Sequence, residues 1–175
     1  MRPTTSHSIL STPRGRRCRQ LTMALAALAA LSTVASTAQA RTNHRYTSVI
    51  QTAPLSTASG YPAPGGTAVV AGTWTTNLYG KGAVVDRVRI TGNPTPVTFT
   101  FRGAEVCFTP LGTLKDTFTG TATVQPDGSQ KVVSNGRFTG GTGAYRGATG
   151  TFKYTGSTAP GSSVLNGRSA GTISY

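Results

Sequence analysis

From Thr67 to Tyr175 apolar residues return at every second position, and no stretch keeps the 3.6-residue spacing of an amphipathic helix. Side chains that alternate between two faces belong to β-strands, so this feature confines the folded part of the chain to an all-β architecture. The clearest case is TLKDTFTGTATV, residues 113–124. It sets Leu114, Asp116, Phe118, Gly120, Ala122 and Val124 on one face, against five threonines and Lys115 on the other. AVVDRVRI, residues 83–90, does the same with Val84, Asp86, Val88 and Ile90 opposite Val85, Arg87 and Arg89. TAVVAGTWTTNLYG, residues 67–80, opens the folded part, and Gly92-Asn93-Pro94 reads as the end of the next strand. In PVTFTFR, residues 96–102, Val97, Phe99 and Phe101 share a face. Gly103 then reads as punctuation before AEVCF, where Glu105 and Cys107 share a face whose direction stays open. Pro126-Asp127-Gly128 supplies a tight hairpin turn before the return strand SQKVVSNGRF. Seven or eight short strands separated in this way predict an antiparallel barrel or sandwich.

The N-terminal part obeys different rules. Arg14, Arg16, Arg17 and Arg19 precede an apolar stretch over residues 21–35, and Ala38-Gln39-Ala40 makes an A-x-A cleavage site. About 15 residues fall short of the ~20 that span a bilayer, so residues 1–40 read as a cleaved signal and the protein as secreted. The Arg16-Arg17 pair permits twin-arginine export, but Arg19 stands where that motif wants an apolar residue, leaving the general secretory route equally open. Residues 41–66, rich in Thr, Ser and Ala with Pro54, Pro62 and Pro64, read as a flexible arm, which puts the barrel domain at 67–175.

Cleavage removes Cys18 and leaves Cys107 alone, so no internal disulfide forms. Twelve basic residues then face Asp86, Glu105, Asp116 and Asp127, a net charge of +8 that favours anionic surroundings such as envelope polymers. The bases form no run and no helix stripe, which speaks against specific nucleic-acid binding.

Much catalytic chemistry is excluded by what is scarce. The one histidine beyond the signal, His44, lies in the expected arm, so the barrel has no imidazole for a Ser-His-Asp or Cys-His site. One Cys, one His and four scattered acids predict neither a metal site nor a haem, and no cofactor is expected. The glycine-rich RFTGGTGAYRGATGTFKYTG, residues 137–156, leads back into strand rather than into a helix, unlike a phosphate loop. Gly140, Gly141 and Gly143 suit positive φ in a tight loop, and Gly147 and Gly150 suit bulges or close strand contacts. Acid–base steering inside a barrel remains. Asp86 and Asp116 interrupt apolar faces, and with Glu105 they are the candidate catalytic groups, since a buried unpaired carboxyl has a raised pKa suited to proton transfer. Pairing with an arginine or exposure at a strand end is the plainer alternative. Trp74, Tyr79, Phe99, Phe101, Phe118 and Tyr145, with Cys107, are candidate pocket residues or ordinary core.

The stretch GGTGAYRGATGTF, residues 140–152, resembles the signature hairpin of the allene oxide cyclase and dirigent barrel superfamily, close to G-G-T-G-x-[FY]-x-G-A-x-G. DTFTGTATV, SNGRF and the terminal AGTISY are similar to its exported bacterial members. The resemblance implies an eight-stranded antiparallel barrel with an apolar lumen, trimeric in plant members, that steers cyclisation or coupling without redox chemistry. Plant cyclases use a lumenal glutamate and cysteine, but no flanking motif aligns Glu105 or Cys107 with them. The expectation is thus a secreted barrel that binds a small apolar or aromatic molecule and steers a cyclisation or isomerisation. Its rival is a non-enzymatic basic protein of the envelope or medium.

Overall fold

The computed structural model describes residues 41–57 and 62–175, and the expected signal lies outside them. The strands are β1 (Asn43–Thr57), β2 (Thr67–Thr76), β3 (Gly80–Thr95), β4 (Thr98–Thr109), β5 (Gly112–Val124), β6 (Gln130–Gly141), β7 (Thr149–Thr158) and β8 (Leu165–Ser174). Each pairs antiparallel with the next, and β8 pairs with β1, so the sheet closes into an eight-stranded barrel without a free edge. Among the described residues the one helical element is a single 3₁₀ turn, Gly143–Tyr145.

The first correction concerns residues 41–66. Rather than a flexible arm, Asn43–Thr57 is a full barrel strand, hydrogen-bonded to β2 on one side and β8 on the other. Tyr46, Ser48, Ile50 and Thr52 point inward and are buried. Two of those four are small and polar, which hides the alternation from any count of apolar residues. Threonine and the β-branched Val49 and Ile50 nevertheless favour extended backbone. Pro54 sits where the register with β2 shifts, a place where a missing N–H costs the ladder least.

Two expected strand breaks are also absent. β3 runs through Gly92-Asn93-Pro94 to Thr95, with irregular pairing to β4 over that stretch. Gly103 lies inside β4. A Cβ there would stand 2.3 Å from Cζ of Phe118, so the glycine leaves room for that ring to lie across its neighbour strand. Gly136 does the same for Phe152.

The glycine-rich segment closes one end of the barrel. Gly140 (φ +122°) and Gly143 (φ +59°) adopt the left-handed backbone expected of them, whereas Gly141 does not. Thr142 and Ala144 dock on the β4–β5 turn: Thr142 N–H donates to Thr113 O at 2.9 Å, and Ala144 N–H donates to Leu111 O at 3.0 Å. A Cβ on Gly143 would fall 2.1 Å from Leu111 O, so only glycine fits between the two loops. The 3₁₀ turn then drives Tyr145 into the barrel mouth, where it is fully buried. Its ring meets Tyr79 edge-on at 4.4 Å and Tyr175 at 5.9 Å, and Trp74 packs behind Tyr79 at 6.3 Å. Tyr46, Phe138 and Phe152 make a second aromatic group, with Tyr46 and Phe138 5.0 Å apart.

Candidate functional site

Away from this plug the lumen is hollow. A cavity of about 400 Å³ runs inward from the β7–β8 loop, where Gly161, Ser162 and Ser163 border it. Its wall is made by inward positions of every strand and is mostly apolar: Val70, Val88, Ile90, Phe99, Phe101 and Val132 are representative. The cavity stops at a definite level. Glu105 lines it and Cys107, two residues on, does not; Asp86 lines it and Val84 does not; Phe118 lines it and Asp116 does not. The floor therefore carries carboxyl groups.

Strand register explains how they meet. Asp86 on β3 pairs with Glu105 on β4, and Glu105 pairs with Asp116 on β5. All three occupy inward positions and are buried. Directly opposed residues on neighbouring strands stand roughly 5 Å apart at Cβ, so the three acids form one transverse row. Glu105 is central, and the Cys107 thiol donates to its Oε1 at 2.9 Å. One oxygen of Asp86 and both oxygens of Asp116 find no hydrogen-bond partner within the protein. The hydroxyls of Tyr154 and Ser169, on the cavity wall, are unpartnered as well.

No cation balances the row, because every Lys and Arg among the described residues is exposed. Burial first, and the charge and close approach of Glu105 second, push Asp86 up to about 9. Burial and the Asp116 charge push Glu105 to about 8, and burial pushes Asp116 to about 8 despite its contact with Glu105. The row thus keeps its protons at neutral pH and titrates as a coupled unit. Burial likewise raises the Cys107 thiol, which keeps its proton and donates to Glu105. Tyr46 accepts from Trp74 Nε1 and donates to Ser48 Oγ, both at 3.1 Å, and burial raises its phenol too. No group of three His, Cys, Asp or Glu among the described residues is disposed to hold a metal ion.

The structure brings Asp86, Glu105 and Asp116 together, although in sequence they lie on three separate strands. Of the candidate pocket residues, Phe99, Phe101 and Phe118 line the cavity. Trp74, Tyr79 and Tyr145 instead build the plug, and Cys107 lies beneath the floor, supporting Glu105. Tyr154 and Ser169 escaped sequence reasoning. The alternation of FKYTG in residues 152–156 does place Tyr154 on the face of Phe152, but nothing local marks its hydroxyl as unpartnered. Comparison with protein-family models, with curated proteins and with solved structures found no match.

Proposed function

We propose that this barrel admits a small, largely apolar molecule to its lumen and uses the carboxyl row to move protons on it, steering a non-redox isomerisation or cyclisation. The observation that carries this reading is an open apolar cavity whose floor holds acids that no cation neutralises. A folding role alone does not account for them, since burying unpaired carboxyls is costly. The protonated Asp86 donates its proton to an oxygen of the ligand. Glu105, its register neighbour, passes a proton back to Asp86 and, as the carboxylate so formed, takes one from an adjacent carbon of the ligand. The protein ends as it began and the ligand is isomerised, so no oxidant or reductant takes part. The apolar wall excludes water and holds the ligand against the floor. The resemblance of residues 140–152 to the allene oxide cyclase and dirigent hairpin, and the export signal in residues 1–40, support a secreted member of that superfamily.

Native mass spectrometry of the protein recovered from its producer's medium tests the binding step. A retained small-molecule mass is the expected result. A clean apo mass that persists after adding medium extract overturns the reading and favours a non-enzymatic envelope protein. With the ligand in hand, Asp86→Asn is expected to retain it and lose its conversion.

A further inference from the structure

The charges of this barrel are sorted by face. Asp86, Glu105 and Asp116 point into the lumen, Asp127 sits in the β5–β6 turn, and all twelve Lys and Arg among the described residues are exposed, ten of them at outward strand positions and Arg41 and Arg146 outside the strands. The outer wall is therefore cationic with almost nothing on it to pair with. Its strongest concentration lies over β3 to β6, where Arg87, Arg89, Arg102 and Arg137 border a shallow groove.

Register gives the layout. One transverse row reads Arg87, Ala104, Thr117, Arg137; the next reads Arg89, Arg102, Thr119, Asn135. Small residues at the centre of the first row make the depression, and arginines stand at its rim. Arg89 and Arg102 are directly opposed on neighbouring strands. Like charges in that position weaken a sheet, and folding gives no reason to place them there. An anion bridging the two guanidinium groups turns that repulsion into attraction.

We propose that this groove binds an anionic polymer of phosphodiester-linked polyols, the kind of chain a phosphate-bearing cell envelope presents. Guanidinium forks match phosphate oxygens two at a time, which a row of lysines would not do. Thr117, between Arg87 and Arg137 in the first row, and Thr119 and Asn135, beyond Arg102 in the second, offer hydroxyl and amide groups to the polyol. The aromatic residue that borders the groove, Phe118, stands at an inward position with its ring against Gly103 and also lines the lumen, so it offers no outward face for a base to stack on, which disfavours single-stranded DNA or RNA as the occupant. The groove is on the outer wall and the carboxyl row on the inner one, so polymer attachment leaves the lumen free.

The test is a titration of the exported protein with a poly(glycerol phosphate) oligomer, beside single-stranded DNA and polyglutamate of equal charge. Two quadruple variants are compared. One carries Arg87→Gln, Arg89→Gln, Arg102→Gln and Arg137→Gln. The other removes the same charge elsewhere through Lys81→Gln, Lys131→Gln, Arg146→Gln and Arg168→Gln. The groove variant is expected to lose about tenfold or more in affinity for the polyol phosphate, with a log–log salt dependence shallower by about three, while the other variant changes by less than about threefold. Its melting temperature is expected to rise, because the Arg89–Arg102 repulsion is gone. Equal weakening in both variants, equal or tighter binding of DNA or polyglutamate, or no binding of the polyol phosphate by the unaltered protein each overturns the proposal. If the quadruple groove variant fails to fold, the pair Arg89→Gln and Arg102→Gln carries the same comparison.

Discussion

At one end of the barrel Trp74, Tyr79, Tyr145 and Tyr175 pack ring against ring, and at the other Thr52, Ala68, Ala122 and Thr158 face a cavity. Both ends are written in the same alternating pattern on the same eight strands. The size of the inward side chain decides whether a given level is filled, and the connecting loops amplify the choice. The segment of residues 142–148 inserts a tyrosine, whereas the β7–β8 loop borders its end with glycine and serine. Close packing and open volume thus lie at opposite ends, and the carboxyl row marks the boundary between them.

The largest expected effect lies in the plug. Tyr145→Ala removes a fully buried ring and should lower the unfolding free energy by about 3–5 kcal/mol, whereas Val132→Ala on the cavity wall should cost under about 2 kcal/mol. Urea denaturation of the two variants measures the difference, and equal losses would break the contrast between the ends. A smaller effect is expected from pH. Asp86, Glu105 and Asp116 hold their protons in the barrel up to about pH 8 or 9, while the unfolded chain releases them near its ordinary values of 3.8 and 4.5. The stability they lend is full below about pH 4 and falls as pH rises toward 9. The slope is at most about 1.4 kcal/mol per pH unit for each group that ionises only in the unfolded chain. Denaturation at pH 5 and pH 8 should show the barrel weaker at the higher pH, and Asp86→Asn, Glu105→Gln and Asp116→Asn together should flatten the difference. Smallest of all should be the stability change from Ala122→Phe, which fills part of the cavity. It is expected to shift unfolding by less than about 1.5 kcal/mol while abolishing ligand retention in native mass spectrometry.

The all-β class was legible because alternation is local, and so were the inward faces of residues 83–90 and 113–124. The strand of residues 43–57 was not, because Ser48 and Thr52 take inward positions that pattern reading assigns to apolar residues. Glu105 was nearly legible. The parity of Phe99 and Phe101 continues unbroken to Glu105 and Cys107, but treating Gly103 as a break discarded that phase. The glycine exists for the ring of Phe118, a partner on another strand. The row of three acids depends on the register of β3, β4 and β5, and register is set across strands by packing, beyond the reach of any one segment. Likewise Trp74 and Tyr79 have the composition of a pocket, and only their height in the barrel assigns them to the plug.

The proposed chemistry requires the buried acid row to be protonated at the cavity floor, where Asp86 and Glu105 face the cavity and Asp116 lies beside them. Carboxyl ¹³C NMR of the Asp and Glu side chains, followed through a pH titration, tests this most directly. Asp127 is an internal reference, because the Ser129 side chain and backbone N–H lower its pKa below the ordinary aspartate value. The predicted result is that Asp86, Glu105 and Asp116 ionise together above neutrality, well after Asp127. Three lumenal carboxyls that ionise alongside ordinary surface acids would contradict the proton-transfer role and leave the cavity as a binding site alone.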